Sequence, residues 1–223
     1  MRKFAEILKM AAGRKGGAAA IEQELPKVKS AKQLAAIPDD RWLSAMSRAI
    51  FQFGFNWQVV ENKWPGFEEA FQGFDLRRCA HLSDEAMDKL LKDTRIIRNP
   101  PKVRSVQANA GFLLQLAKEH GSIGKLVGNW PADRYIDLVD IFKQGGDRMG
   151  GATSQYFLRS MGKESFILSR DVTAALIREG VVAKEPTAKK DLEKVQAVFN
   201  QWAKESGRPL THISRILAMS VGD

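Results

Sequence analysis

Along this chain apolar residues recur in threes and fours, the period that gathers them on one face of an α-helix. Trp42, Leu43, Met46, Ile50 and Phe53 mark one such face, and Val103, Val106, Ala110, Leu113, Leu114 and Ala117 another. Strand-like alternation is scarce, so the expected class is all-α. Breaks between the faces carry helix stop and start signals. A short helix is expected over 3–12, stopped by Gly13, followed by a basic loop Gly13-Arg14-Lys15-Gly16-Gly17. A second ends near Pro26, and a third lies between Ser30 and Pro38. Asp39 or Asp40 then caps the helix of Trp42, Gly54 ends it, and Asn56 caps the next, which holds Trp57, Val60 and Trp64. Pro65 is expected to open a separate helix with Phe67, Ala70 and Phe71, and Asp75 and Ser83 to cap two short ones. Pro100-Pro101 opens the longest, running to about His120. After Pro131 a helix carrying Ile136, Val139 and Phe142 stops at Gly145-Gly146, and another covers 152–161. Ser169 caps a helix through Ile177, and a final pair covers 187–206 and 211–219. Short, capped, apolar-faced helices in this density make a compact bundle.

Composition narrows the picture. At 223 residues the chain can bury a core, and 44% hydrophobic with 27% charged residues argues against disorder. The formal net charge of +9 favours a polyanionic partner, because each cation that meets a phosphate releases a condensed counterion. Cys79 is the single cysteine, which excludes an intrachain disulfide and a thiolate zinc cluster, and His81, His120 and His212 stand at no recognisable metal-ligand spacing. No metal and no cofactor is implied. No apolar run approaches the ~20 residues that span a bilayer. The basic start is interrupted by Glu6 and Lys9 and reads as an amphipathic helix, not a signal peptide. The simplest compartment is the bacterial cytoplasm, with no membrane partner.

The candidate chemistry lies in a helix, glycine-rich turn and helix over 133–161. Gly150 and Gly151 can take positive φ and bring backbone amides close to a ligand. Together with the free N–H groups of the following helix they make an anion site. Thr153 and Ser154 add hydroxyls, and Arg148 and Arg159 add charge. Taken alone, the same turn also reads as an ordinary interhelical connection.

The stretch from this turn to Asp171 resembles the helix–hairpin–helix DNA glycosylase superfamily. Asp171 stands 20 residues after Gly151 (171 − 151), the spacing expected between the hairpin's last glycine and a catalytic aspartate in the endonuclease III-like branch. The hairpin departs from the commonest form, Leu-Pro-Gly-Val-Gly, in that Met149 replaces its first glycine. A second, independent set of residues resembles 3-methyladenine DNA glycosylase I. It comprises Ile50-Phe51-Gln52-Phe53-Gly54-Phe55-Asn56-Trp57, then Glu61-Asn62-Lys63, Phe67-Glu68-Glu69-Ala70-Phe71 and Phe74-Asp75. Ile96-Ile97-Arg98-Asn99, Lys102-Val103 and Asn109-Ala110 continue it in order and spacing. The resemblance covers about residues 40–180.

The resemblance implies a compact helical bundle in two lobes. One glycosylase-like domain would fill 1–223, with an N-terminal helical extension over 1–38, the core over 39–180 and C-terminal helices over 181–223. It implies a base pocket at Trp57, with Gln52 and Phe53 beside it, and a phosphate grip at Arg148, Gly150, Gly151, Thr153 and Ser154. A cationic alkylated purine gains from an aromatic face, although Trp57 read alone is equally a core residue at a helix start. Asp171 would assist loss of the base, its alternative being an acid in a helix's first turn. Thr153 stands where bifunctional relatives carry a lysine nucleophile, which implies a monofunctional enzyme. The family's pocket glutamate falls at Ala49 and its zinc ligands are missing, while Asp171 is one the family generally lacks. The implied activity is excision of alkylated bases such as 3-methyladenine from double-stranded DNA with damaged bases, by a monomer. The alternative, favoured by Ala49, is a noncatalytic helix–hairpin–helix DNA-binding protein that has lost base excision.

Overall fold

The computed structural model describes residues 1–222, and every regular element among them is helical. In chain order these are α1 (Phe4–Lys15), α2 (Ala18–Gln23), α3 (Ala31–Ala35), α4 (Asp39–Gln52), α5 (Trp57–Ala70), α6 (Leu76–Ala80) and α7 (Asp84–Lys92). Then come α8 (Pro100–His120), α9 (Ile123–Asn129), α10 (Tyr135–Gly145), α11 (Thr153–Ser160), α12 (Arg170–Arg178), α13 (Lys189–Ser206) and α14 (Leu210–Met219). Short 3-10 turns occupy Gln72–Phe74 and Ala132–Arg134.

The local start signals act as their chemistry requires. Ser30 and Gln33 form a reciprocal capping box at α3. The side chains of Asn56, Asp75, Ser83, Asn99 and Ser169 each accept a backbone N–H in the first turn of their helices. Three local signals are overridden. Helix α1 passes through Gly13 and ends at Gly16, so Arg14 and Lys15 are last-turn residues, where cations suit the helix dipole, and are not a loop. Burial of Phe4, Ile7 and Ala11 on one face outweighs a helical glycine's cost of about 1 kcal/mol. Pro65 lies inside α5 and opens no new helix, because Val60, Trp64 and Phe67 continue one buried face across it. Neither Asp39 nor Asp40 caps α4, whose N-cap is Pro38. Asp39 instead accepts the Ile123 N–H (2.9 Å), satisfying the start of α9.

The chain divides into two units. One contains residues 1–29, 130–139 and 162–223, the other residues 30–129 and 140–161, so α10 is shared between them along its length. In the first, Phe4, Trp202, Phe199, Phe166 and Tyr135 form a continuous set of ring contacts. The N-terminal segment is tied to the C-terminal helices here. The Arg2 side chain and backbone N–H both bond Glu179, and the Phe4 N–H bonds Glu205. In the second unit Trp64, Phe67, Phe71 and Phe74 stack on one another, and Phe51 meets Phe67 edge-on. A further set there joins Trp42, Phe157, Phe142 and Phe112. Each such ring, removed from water, contributes roughly 1.5–3 kcal/mol. No described helix is long and apolar enough to cross a membrane.

Candidate nucleic-acid interface

The second unit carries the glycine turn. Helix α10 ends at Gly145, and α11 starts at Thr153. Between them Arg148 (φ 62°) and Gly151 (φ 57°) take left-handed backbone conformations. For arginine this costs about 1–2 kcal/mol and persists only where its surroundings impose it. The surroundings are plain. Asn109, wholly buried on α8, accepts the Asp147 N–H (2.7 Å) and donates to the Asp147 carbonyl (3.1 Å). Arg148 donates from Nε to the Pro101 carbonyl (3.2 Å), and Met149 is buried in the core. The N–H groups of Gly150, Gly151 and Ala152 donate no hydrogen bond within the described residues. Around both glycines an added Cβ would meet open space. The result is an exposed edge of free amides at a helix start, beside the exposed Arg148.

The structure revises what the two hydroxyls do. Thr153 and Ser154 are both buried. The Ser154 hydroxyl donates to the Met149 carbonyl (2.6 Å), so it closes the turn from inside and does not face solvent. The Thr153 N–H is also spent, on the Gly150 carbonyl (3.2 Å). The exposed edge is therefore made of backbone amides and Arg148.

Five residues after Gly151, Tyr156 meets Trp57 edge-on, with ring centroids 5.8 Å apart and planes at 84°. Trp57 opens α5 and remains 53% exposed, so the core-packing reading does not describe it. Phe53, just past the end of α4, is 51% exposed. The turn between α4 and α5 is held by Lys102 near the start of α8. Its Nζ donates to the carbonyls of Ile50 (2.9 Å) and Phe53 and lies 4.5 Å from the centre of the Phe55 ring. Burial, and then the like charge of Arg148, hold the Lys102 ammonium below the usual lysine range. Gln52 donates to Glu61 (2.8 Å), which also pairs with Arg48 (3.5 Å). Ala49 is buried and offers only a methyl group.

Gln52, Phe53, Trp57 and the 148–154 turn thus belong to one unit, with Trp57 touching the helix that the turn opens. Asp171 belongs to the other unit. It is exposed in the first turn of α12, behind the Ser169 cap, and makes no hydrogen bond or ion pair among the described residues. Sequence reasoning named Asn109 and Lys102 only as carriers of the family resemblance and did not name Tyr156, so none of the three was assigned a place in the candidate site. Asn109 had a signal, a polar residue inside the apolar stripe of α8. Lys102 and Tyr156 act through contacts distant in sequence. Among the described residues no three His, Cys, Asp or Glu side chains converge as a metal site would need.

The model of the methyladenine glycosylase family matches residues 36–165. Among solved structures, 3-methyladenine DNA glycosylase I from Staphylococcus aureus is similar at 18% identity, with a TM-score of 0.51 over 65% of this chain and 84% of that one. The 8-oxoguanine DNA glycosylase of Thermotoga maritima is similar at 18% identity, with a TM-score of 0.55 over 96% and 95%. The 8-oxoguanine glycosylase/lyase of Methanocaldococcus jannaschii, solved with DNA containing 8-oxoguanine, gives 12% identity and 0.54 over 95% of each chain. At these identities the structural likeness speaks for the fold. It is that of the all-α helix–hairpin–helix DNA glycosylases.

Proposed function

The chain belongs to the methyladenine glycosylase family and is a DNA glycosylase, and from that premise we propose that it removes alkylated purines such as 3-methyladenine from double-stranded DNA without cutting the strand. The observation that supports this reading best is the joining of a free amide edge and an exposed aromatic corner by one short helix. Tyr156 stands three residues into α11, about 4.5 Å along the helix from Thr153 at about 1.5 Å per residue, and the free amides of 150–152 lie in the turn just before it. Lys and Arg side chains hold the duplex without regard to sequence. One phosphate accepts the N–H groups of Gly150, Gly151 and Ala152 beside Arg148. The flipped base stacks on Trp57, with Tyr156 as the second wall.

N-alkylation leaves the purine positively charged in DNA, so it departs as a neutral base, taking the electron pair of the C1′–N bond. The sugar left behind is oxocarbenium-like. Asp171, assigned by its 20-residue spacing from Gly151, stabilises that cation and orients the attacking water. The water oxygen bonds C1′, and its proton passes to solvent through the carboxylate. Thr153 has no amine, so no Schiff base forms and the product is an intact abasic strand.

The test is incubation with methylated duplex and, separately, with an 8-oxoguanine duplex, followed by chromatography of the freed bases. Expected are release of 3-methyladenine and strand breaks only after hot alkali. Breaks without alkali would refute the monofunctional assignment, and an Asp171→Asn protein with full activity would refute the role of Asp171. Salt-dependent DNA binding with no base released from either duplex would refute excision itself.

A further inference from the structure

We propose, resting on alkylated-purine excision as the function, that the carboxylate of Glu61 selects a positively charged purine stacked on Trp57. Glu61 follows Trp57 by four residues on α5, so the two share a helix face one turn apart. Long side chains on a helix lean toward its N-terminus, which sends Glu61 toward the turn that carries Trp57. Its direction is further set from α4, where Gln52 donates to one carboxylate oxygen (2.8 Å) and Arg48 reaches the other (3.5 Å). Each oxygen keeps acceptor capacity for an exocyclic amino group or a ring N–H. Trp57 is half exposed and Glu61 is also solvent-accessible, so the pair is open to a ligand. On the facing stretch of α4, Ala49 contributes no polar atom.

An aromatic face with a carboxylate one helical turn away discriminates by charge. A cationic purine gains from the ring quadrupole and from the carboxylate, whereas a neutral purine gains mainly from stacking. The ligand class is therefore an N-alkylated purine carrying positive charge. Arg48 opposes it: its guanidinium, stacked 4.7 Å from the centre of the Trp64 ring, offsets part of the carboxylate's charge.

The experiment uses the full chain and two soluble probes, 7-methylguanosine and guanosine, titrated by tryptophan fluorescence at mildly acidic pH where the methylated nucleoside is cationic. We expect the wild type to favour 7-methylguanosine about tenfold or more and Glu61→Gln to reduce that preference at least fivefold. The amide of this variant can still pair with Gln52. Arg48→Met, which keeps an apolar stem over Trp64, should strengthen the preference. The opposite signs are diagnostic, since a merely structural ion pair would respond in the same direction to loss of either partner. An unchanged preference in Glu61→Gln, equal effects of the two variants, or a wild type that binds neither probe overturns the proposal. Preferential binding without excision of methylated purines from DNA would sink the proposed function and leave this inference standing. Excision with a charge preference indifferent to Glu61 would do the reverse.

Discussion

Asn109 is the residue on which the glycine turn most depends, and its removal has a calculable cost. Asn109→Ala deletes two hydrogen bonds, one to each polar group of the Asp147 backbone. A net hydrogen bond is worth about 1 kcal/mol, and a polar group left buried without a partner costs about 1–3 kcal/mol. Asp147 is itself exposed, so water can reach part of what is lost. The low end of that range therefore applies. Two bonds and a small cavity in α8 give about 2–3 kcal/mol. For a chain of this size that lowers Tm by roughly 4–12 °C. The second consequence is functional. Arg148 holds φ 62° because the residue before it is clamped, so the free amides of 150–152 lose their common aim and DNA affinity falls. Urea unfolding measures the first effect, and a fluorescence titration with duplex DNA at fixed salt the second. Asn109→Asp adds a sign test. It keeps the acceptor for the Asp147 N–H but sets a carboxylate against the Asp147 carbonyl, so acidification that protonates it should recover part of the loss. If Asn109→Ala costs under about 0.5 kcal/mol and leaves DNA affinity unchanged, the bracing argument is wrong.

Three further outcomes are expected. Gly150→Ala meets nothing within 4 Å and should leave stability within about 0.5 kcal/mol in urea unfolding while weakening DNA binding. Cys79 is buried, and burial followed by the charge of Asp75 pushes its thiol pKa up to about 12. A maleimide or disulfide reagent should therefore label it only after unfolding, and rapid labelling of the native protein would contradict its placement. Lys163 is buried against the Trp130 carbonyl (2.5 Å), and burial, partly countered by Glu164, lowers its pKa below 10.5. A base with a depressed folded pKa costs stability while charged, and the cost is relieved as pH rises through the folded value. Unfolding of wild type and Lys163→Met across the alkaline range below 10.5 should show the wild type gaining on the variant, and a flat difference would count against the burial.

How far the sequence carried depends on how local each cause is. Helix α8, the Ser30, Asn56 and Ser169 caps and the interval between α10 and α11 follow from residues within a few positions of one another, and the period and cap rules read them directly. Pro65 and Gly13 misled for one reason: each is a local breaker inside a face whose burial is decided by other elements. Asp39 stands where a cap for α4 is expected, but it caps α9, 84 residues away, a pairing no window of sequence displays. Ser154 looked outward by type and is turned inward by the Met149 carbonyl. Trp57 read alone could have been a core residue, and only its remaining exposure and its edge contact with Tyr156, set by the packing of other helices, remove that reading. Nor does any periodicity foretell that the first residues pack with the last helices in one unit.

The feature that fits the hairpin pattern worst also explains why the turn works here. Met149 replaces a glycine, which on sequence alone weakens the turn, since a side chain is added where the backbone must bend. The structure buries that side chain, with 1% of it exposed, and gives it a neighbour without one. A Cβ on Gly146 would lie 2.7 Å from Met149 Cγ and equally close to Met46 Cε. The space a hairpin glycine would save at 149 is thus provided at 146. The left-handed conformation is taken one residue earlier, by Arg148, under the Asn109 clamp. Met149 then anchors the turn in the core, and its carbonyl receives the Ser154 hydroxyl. Asn109, Met149 and Ser154 hold the turn from within, which leaves the outer edge to Arg148 and the amides of Gly150, Gly151 and Ala152. The phosphate grip proposed here, being made of backbone, requires the conformation and not the motif. In a duplex titration at fixed salt, Gly146→Ala should accordingly impair DNA binding more than Gly150→Ala, although Gly150 stands on the exposed edge and Gly146 behind it.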